Sequence, residues 1–157
     1  MIEWLTQQGY DHIVEDKVSG MMAQAIFYKR EMKLLSKRVT ELTMTPGISF
    51  ILAAHLKVGD EANSIELVFA TTHLKAMPEY ERMRKKEVNA ITQAFESSYN
   101  NLSVPVVLVG DFNDVPLSEP INMMEKSFVD LHVLKIEKIK QKYGYAEKFK
   151  DRRNDYP

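Results

Sequence analysis

Two short stretches of this chain set chemically capable side chains directly after apolar runs. One is Val109-Gly110-Asp111-Phe112-Asn113-Asp114-Val115-Pro116, which follows the nearly continuous apolar segment Val104–Val109. Residues two apart share one side of an extended chain, so Asp111 and Asn113 are predicted to face together while Phe112 turns into the core. A carboxylate paired with a carboxamide suits hydrolysis at phosphorus. Asp111 can orient and deprotonate a water, and Asn113 can donate to a phosphoryl oxygen without charge repulsion. Gly110 would let the backbone approach a ligand closely.

The second stretch, Phe69-Ala70-Thr71-Thr72-His73-Leu74-Lys75-Ala76, puts His73 and Lys75 at alternate positions of a strand end. An imidazole can donate to a phosphate oxygen or protonate a leaving group, and a lysine is a mobile point charge for phosphate. Each stretch alone has an ordinary reading. Gly, Asp and Asn are common where strands turn, and a strand-end histidine is commonly structural. Two such junctions at the carboxyl ends of apolar strands, in one short chain, favour a site.

The elements that must position these residues follow from periodicity. Glu3–Gly9 reads as the end of a short helix, anchored by Trp4 and closed by Gly9. Strands are predicted at Tyr10–Glu15, Ala23–Tyr28, Leu34–Leu42, Ser49–Leu56 and Ile65–Thr72, with the polar turn Asp60–Ser64 joining the last two as an antiparallel hairpin. Pro78–Glu96 changes to a helical period, with Tyr80, Met83, Arg84, Val88, Ile91 and Phe95 on one face. Val104–Val109 reads as a strand buried on both faces, with Pro105 at its first turn. A second helix spans about Glu119 to Lys126, and Phe128–Leu134 is loop or strand. The pattern is that of an α/β domain with a mixed sheet.

The chain has 157 residues, 45% of them hydrophobic and 27% charged, the balance of an ordinary globular domain. No apolar run approaches the ~18–20 residues that cross a bilayer. The formal net charge of −1 gives no general attraction to nucleic acid or membrane, so a polyanion must be held by a local site and a general duplex-DNA nuclease is disfavoured. Cysteine is absent, which excludes thiolate metal sites. The amino-terminal residues do not read as a targeting peptide, which points to the cytoplasm, or to mitochondria if a targeting segment precedes Met1.

Thr72-His73-Leu74 taken with Gly110-Asp111-Phe112-Asn113 resembles the endonuclease/exonuclease/phosphatase superfamily. Thr72–Ala76, Glu81-Arg82-Met83-Arg84 and Gly110–Pro116 are most similar to its nocturnin-like, deadenylase-related branch, as are Gly9-Tyr10 and Ala25–Lys29. The resemblance implies a four-layer α/β sandwich, two packed mixed sheets with outer helices, of which residues 1–157 would be the central part, incomplete at both ends. It implies Mg2+-assisted cleavage of a phosphate ester. Asp111 would orient the attacking water, Asn113 would bind the scissile phosphate, His73 would contact it, and Lys75 would bind a neighbouring phosphate. The substrate would be a phosphorylated nucleotide, such as NADP(H) at its 2′-phosphate, or an RNA 3′ end, as for a poly(A) exonuclease. The family's metal-binding glutamate would precede Met1, and its closing Asp and His would follow Pro157; Asp130 and His132 do not substitute for them by position. Where nocturnin-like proteins carry an arginine two residues after the matching lysine, this chain has Met77, which cannot hold a phosphate bidentately.

Other features have plainer readings. Arg82, Arg84, Lys85 and Lys86 form a solvated helix face with Arg84 partly packed. Met21, Met22, Met123 and Met124 fill core gaps, and His12 and His55 are structural. The lysine-rich stretch from Lys135 to Arg153 carries interspersed Glu137, Glu147 and Asp151, as a surface helix and loop would. The competing function is a non-catalytic binding module of the same fold, truncated or degenerate.

Overall fold

The structure is a computed structural model that describes residues 1–17, 22–43, 49–99 and 104–131. The elements, in chain order, are α1 (Ile2–Gln7), β1 (Tyr10–Asp16), β2 (Ala23–Lys29), β3 (Lys33–Glu41), β4 (Phe50–Val58) and β5 (Ile65–His73). A 3₁₀ turn at Pro78–Tyr80 then leads into α2 (Glu81–Tyr99), followed by β6 (Val106–Asp111) and α3 (Glu119–Met124). Among the described residues, the six strands and three α-helices fall where the sequence places them, to within two or three residues at each end. Phe128–Leu131 forms no strand. The rest of that stretch, the lysine-rich segment and Met21 lie outside the described residues.

β1 and β2 form an antiparallel two-stranded sheet. β3, β4, β5 and β6 form a second sheet in that order, antiparallel except for the parallel pair β5–β6. Only the larger sheet is therefore mixed. The β4–β5 hairpin closes as predicted, with Asp60 Oδ1 accepting from the Asn63 amide at 2.8 Å.

Strand alternation divides the core in two. Phe50, Leu52, Ala54 and Leu56 of β4 face the small sheet and pack with Ile13, Ile26 and Tyr28. Ile51 and Ala53 of β4, with Val68 and Ala70 of β5, face the helices and pack with Val88, Ile91, Phe95 and Tyr99 of α2 and Met124 of α3. Each fully buried side chain of this kind contributes about 1.5–3 kcal/mol. The result is an α/β sandwich of two facing sheets with helices outside.

Four expectations are corrected. β6 is not buried on both faces. The small sheet packs mainly over β4 and β5 and also meets β3, while Val109 on the outer face of β6 stays 40% exposed. Trp4 does not anchor α1; it is 61% exposed, and no residue of α1 is buried. Met22 is also exposed, whereas Met123 and Met124 pack in the core as expected. The buried face of α2 runs through Arg84, Glu87, Val88, Ile91, Phe95 and Tyr99. Tyr80 and Met83 lie one step off that stripe and are exposed.

Gly110 has a role other than the one read from sequence. Its φ is +150°, and a Cβ there would sit 2.0 Å from the Thr72 carbonyl oxygen of β5. The close approach is to the neighbouring strand rather than to a ligand. Gly110→Ala combines backbone strain with an unavoidable overlap, and is expected to cost on the order of 3 kcal/mol. Urea unfolding monitored by circular dichroism measures this; a midpoint unchanged from wild type would refute the close packing of β5 and β6.

Candidate functional site

The site is built at the tips of β5 and β6. Their parallel register pairs Thr72 with Gly110 and His73 with Asp111. Val68 and Ala70 of β5 point to the helices, as do Val106 and Leu108 of β6. By alternation, His73 and Asp111 project from the opposite face, side by side on adjacent strands. Two residues some forty positions apart in sequence thus meet at one sheet edge. His73 is half-buried and Asp111 exposed.

Beyond His73 the β5 chain leaves the sheet, and its backbone groups are taken up mainly by side chains. The His73 carbonyl lies 3.5 Å from Lys17 Nζ and 3.4 Å from Ser49 Oγ. The Leu74 amide donates to the Asp111 carbonyl at 2.9 Å, and the Leu74 carbonyl accepts from Asn113 Nδ2 at 2.9 Å. The Lys75 amide donates to Glu87 Oε2 at 3.0 Å. Arg84 Nη1 donates to the carbonyls of Lys75 at 3.1 Å and Met77 at 2.7 Å, and Arg84 Nε donates to Asp114 Oδ2 at 2.8 Å. Met77 adopts φ +80°, a left-handed conformation that a non-glycine residue holds only when its surroundings impose it.

Asn113 is positioned otherwise than expected. β6 ends at Asp111, and Asn113 has φ +49°, so the extended geometry that would align the two side chains does not continue. The turn forms because Asp111 Oδ1 accepts the Asn113 amide at 2.9 Å. Asn113 then spends one amide hydrogen on Leu74, tying the β6 tip to the β5 tip, and keeps a second for another acceptor. Phe112 packs against the helix-side core, as predicted. The Lys75 ammonium lies 4.9 Å from the centroid of the Tyr80 ring, a cation–π contact that parks its charge beside the site.

Three participants were not singled out from sequence. Lys17 follows β1 as Lys75 follows β5, so the strand-end rule would have found it. It is buried, and burial pushes its pKa below the usual lysine value; the Glu87 charge pulls it upward and the Lys75 charge downward. Glu87 is a fully buried carboxylate on the apolar stripe of α2, legible as a charged residue at the phase of Arg84, Val88 and Ile91. Asp114 forms a buried pair with Arg84, their side chains 8% and 4% exposed. Arg84 is therefore a wholly buried clamp rather than a partly packed surface residue. Lys85 stays on the helix surface, its side chain 30% exposed, pairing with Glu81 and Glu119. His55 Nε2 meets Glu66 Oε2 at 2.9 Å across the β4–β5 pair, away from the strand tips.

This sandwich of two facing sheets with outer helices is the fold of endonuclease/exonuclease/phosphatase proteins. It superposes on such a protein from Bacteroides thetaiotaomicron with TM-score 0.67 at 18% identity, covering 80% of this chain and 50% of that one. Nocturnin is similar to this chain in both sequence and structure. The human nocturnin catalytic domain, solved with bound sulfate, gives TM-score 0.70 at 23% identity over 80% of this chain and 50% of that domain. Nocturnin of Xenopus laevis is 34% identical over 67 residues, which is 43% of this chain and 17% of that protein. The chain thus spans about half the length of the solved structures it matches. No protein-family profile matches it. No helix among the described residues is long and apolar enough to cross a membrane.

The Arg84 clamp gives a direct test of how the two tips are joined. Arg84→Met removes the charge partner of buried Asp114 and the donor to two carbonyls, and is expected to cost about 3–5 kcal/mol. Pairing it with Asp114→Asn in a double-mutant cycle should recover part of that loss. Strict additivity of the two changes would contradict the buried pair.

Proposed function

We propose that residues 1–157 are the central part of one phosphoesterase domain acting on phosphorylated nucleotides or RNA 3′ ends. The observation that carries this reading is the parallel register of His73 with Asp111, which sets an imidazole and a carboxylate side by side at one edge. Lys17 and Lys75 stand beside them. In the proposed reaction Asp111, exposed and with Oδ2 left over from its turn, orients a water and accepts its proton. The free Asn113 hydrogen and His73 donate to the phosphoryl oxygens as negative charge builds on them. Lys75, leaving the Tyr80 ring, and Lys17 hold a neighbouring phosphate of the substrate.

The resemblance also implies Mg2+, which would neutralise phosphoryl charge. Among the described residues no three His, Asp or Glu side chains gather to hold a metal ion. Asp111 offers a single uncommitted carboxylate oxygen, so these residues alone do not fit the ion. In this proposal its main carboxylate comes from outside the 157 residues, and the chemistry assigned here is that of the side chains named. Met77 stands 60% exposed where an arginine would grip a phosphate, which favours RNA 3′ ends or singly phosphorylated nucleotides over the NADP(H) 2′-phosphate.

The test uses the protein extended at both ends, assayed with Mg2+ for phosphate release from NADP(H) and for shortening of oligo(A). Asp111→Ala is expected to lower turnover by roughly 10³-fold while leaving the fold intact. Undiminished turnover in that variant would overturn the assigned role. Binding of nucleotide without turnover by the extended wild-type protein would favour the non-catalytic binding module.

A further inference from the structure

Glu87 is a buried charge near the site to which the proposed chemistry gives no task. Among the described residues no ion pair or second hydrogen bond accounts for it as the Asp114 pair accounts for Arg84. It is 0% exposed, in α2, between Arg84 and the apolar Val88 and Ile91. Its Oε2 accepts the Lys75 amide at 3.0 Å, while its Oε1 is buried with no hydrogen-bond partner. A buried carboxylate with one oxygen unsatisfied is costly. A leucine at this position would continue the helix stripe and remove that cost. The surroundings soften the penalty only in part: Lys17 interacts with Glu87 electrostatically but donates to the His73 carbonyl instead.

What the carboxylate achieves is local. The Lys75 amide faces no strand partner, because β5 has ended at His73. Without Glu87 this donor, two residues from the imidazole, would be free to turn toward water and carry the Lys75 side chain with it. Lys17 fixes the carbonyl of His73 and Glu87 fixes the amide of Lys75, so the segment bearing both phosphate-facing side chains is gripped from two elements. A charge-assisted bond is the strong way to hold a lone amide.

We infer that Glu87 is a positioning residue, holding the Lys75 amide so that His73 and Lys75 are presented together to the adjoining phosphates of the substrate. The inference rests on the phosphoesterase reading and goes beyond it by assigning a helix residue that touches no substrate. It makes an unusual demand on electrostatics. A negative charge near an anion site repels the anion, so simple charge removal should tighten binding, whereas loss of positioning should weaken it.

Glu87→Gln and Glu87→Ala separate the two effects, since the glutamine carbonyl can still accept the amide. Inorganic phosphate is titrated into the protein extended at both ends and the same variants of it, below their unfolding temperatures, and followed by NMR at the His73, Lys75 and Asn113 amides. Glu87→Gln is expected to bind at least as tightly as wild type, with the Lys75 amide resonance retained. Glu87→Ala is expected to bind about tenfold more weakly, as when a metal ligand loses the group that orients it, with that resonance shifted. Equal affinity in all three proteins, or tightening in both variants, would overturn the inference while leaving the phosphoesterase reading standing. A wild-type chain in which phosphate perturbs none of the three amides would instead remove the phosphoesterase reading on which the inference rests.

Discussion

The constraint on which the site depends is the satisfaction of backbone polar groups where β5 leaves its sheet. A strand that ends in the protein rather than in water exposes donors and acceptors that must find partners. Here they find them in side chains: Asn113 for Leu74, Glu87 and Arg84 for Lys75, Arg84 again for Met77, and Lys17 with Ser49 for His73. The partners come from four parts of the chain: the residue after β1, the residue before β4, helix α2 and the turn after β6. Their convergence fixes the β5 tip in three dimensions, and the positive φ of Met77 is held in place by it.

The same constraint explains why the two tips act as one unit. Gly110 lets β6 approach β5 more closely than any side chain would permit, and Asp111 turns the chain so that Asn113 reaches across to Leu74. Arg84 closes the other side by bonding both the Lys75–Met77 loop and Asp114. Preorganisation of this kind is what a site for a charged transition state requires, because dipoles already in place need no reorganisation as charge develops. The cost is visible in the buried Arg84–Asp114 pair and in the unsatisfied oxygen of Glu87.

Much of this was legible in the sequence. The strand elements follow from period-2 and continuous apolar patterns, and the motif residues Asp111 and His73 were identified because both follow such runs. Their adjacency was harder to read, because parallel pairing joins segments that local pattern cannot connect; the only local hint was that both stretches follow apolar strands at their carboxyl ends. Burial was misjudged where tertiary context decided it. Val109 looked like a central strand residue, yet the two-stranded sheet does not extend over β6. Trp4 looked like an anchor because of its size, yet α1 buries nothing. The left-handed turn at Asn113 was missed because its cause is a side-chain bond from Asp111, which alternation rules do not contain. Lys17 and Glu87 were missed for opposite reasons: one has no motif around it, and the other sits within an apolar stripe where a charge is out of place.

Native-state hydrogen exchange at the Leu74 and Lys75 amides reads the pinned tip most directly. Both lie past the last residue of β5, where an untethered chain would exchange at close to the rate of an unstructured peptide. If the Asp111 carbonyl holds the Leu74 amide and the Glu87 carboxylate holds that of Lys75, both should be protected to about the degree of Ala70 within the strand. Exchange at Lys75 as fast as at the exposed Asp60–Ser64 turn would contradict that picture, and with it the claim that His73 and Asp111 are presented as a fixed pair.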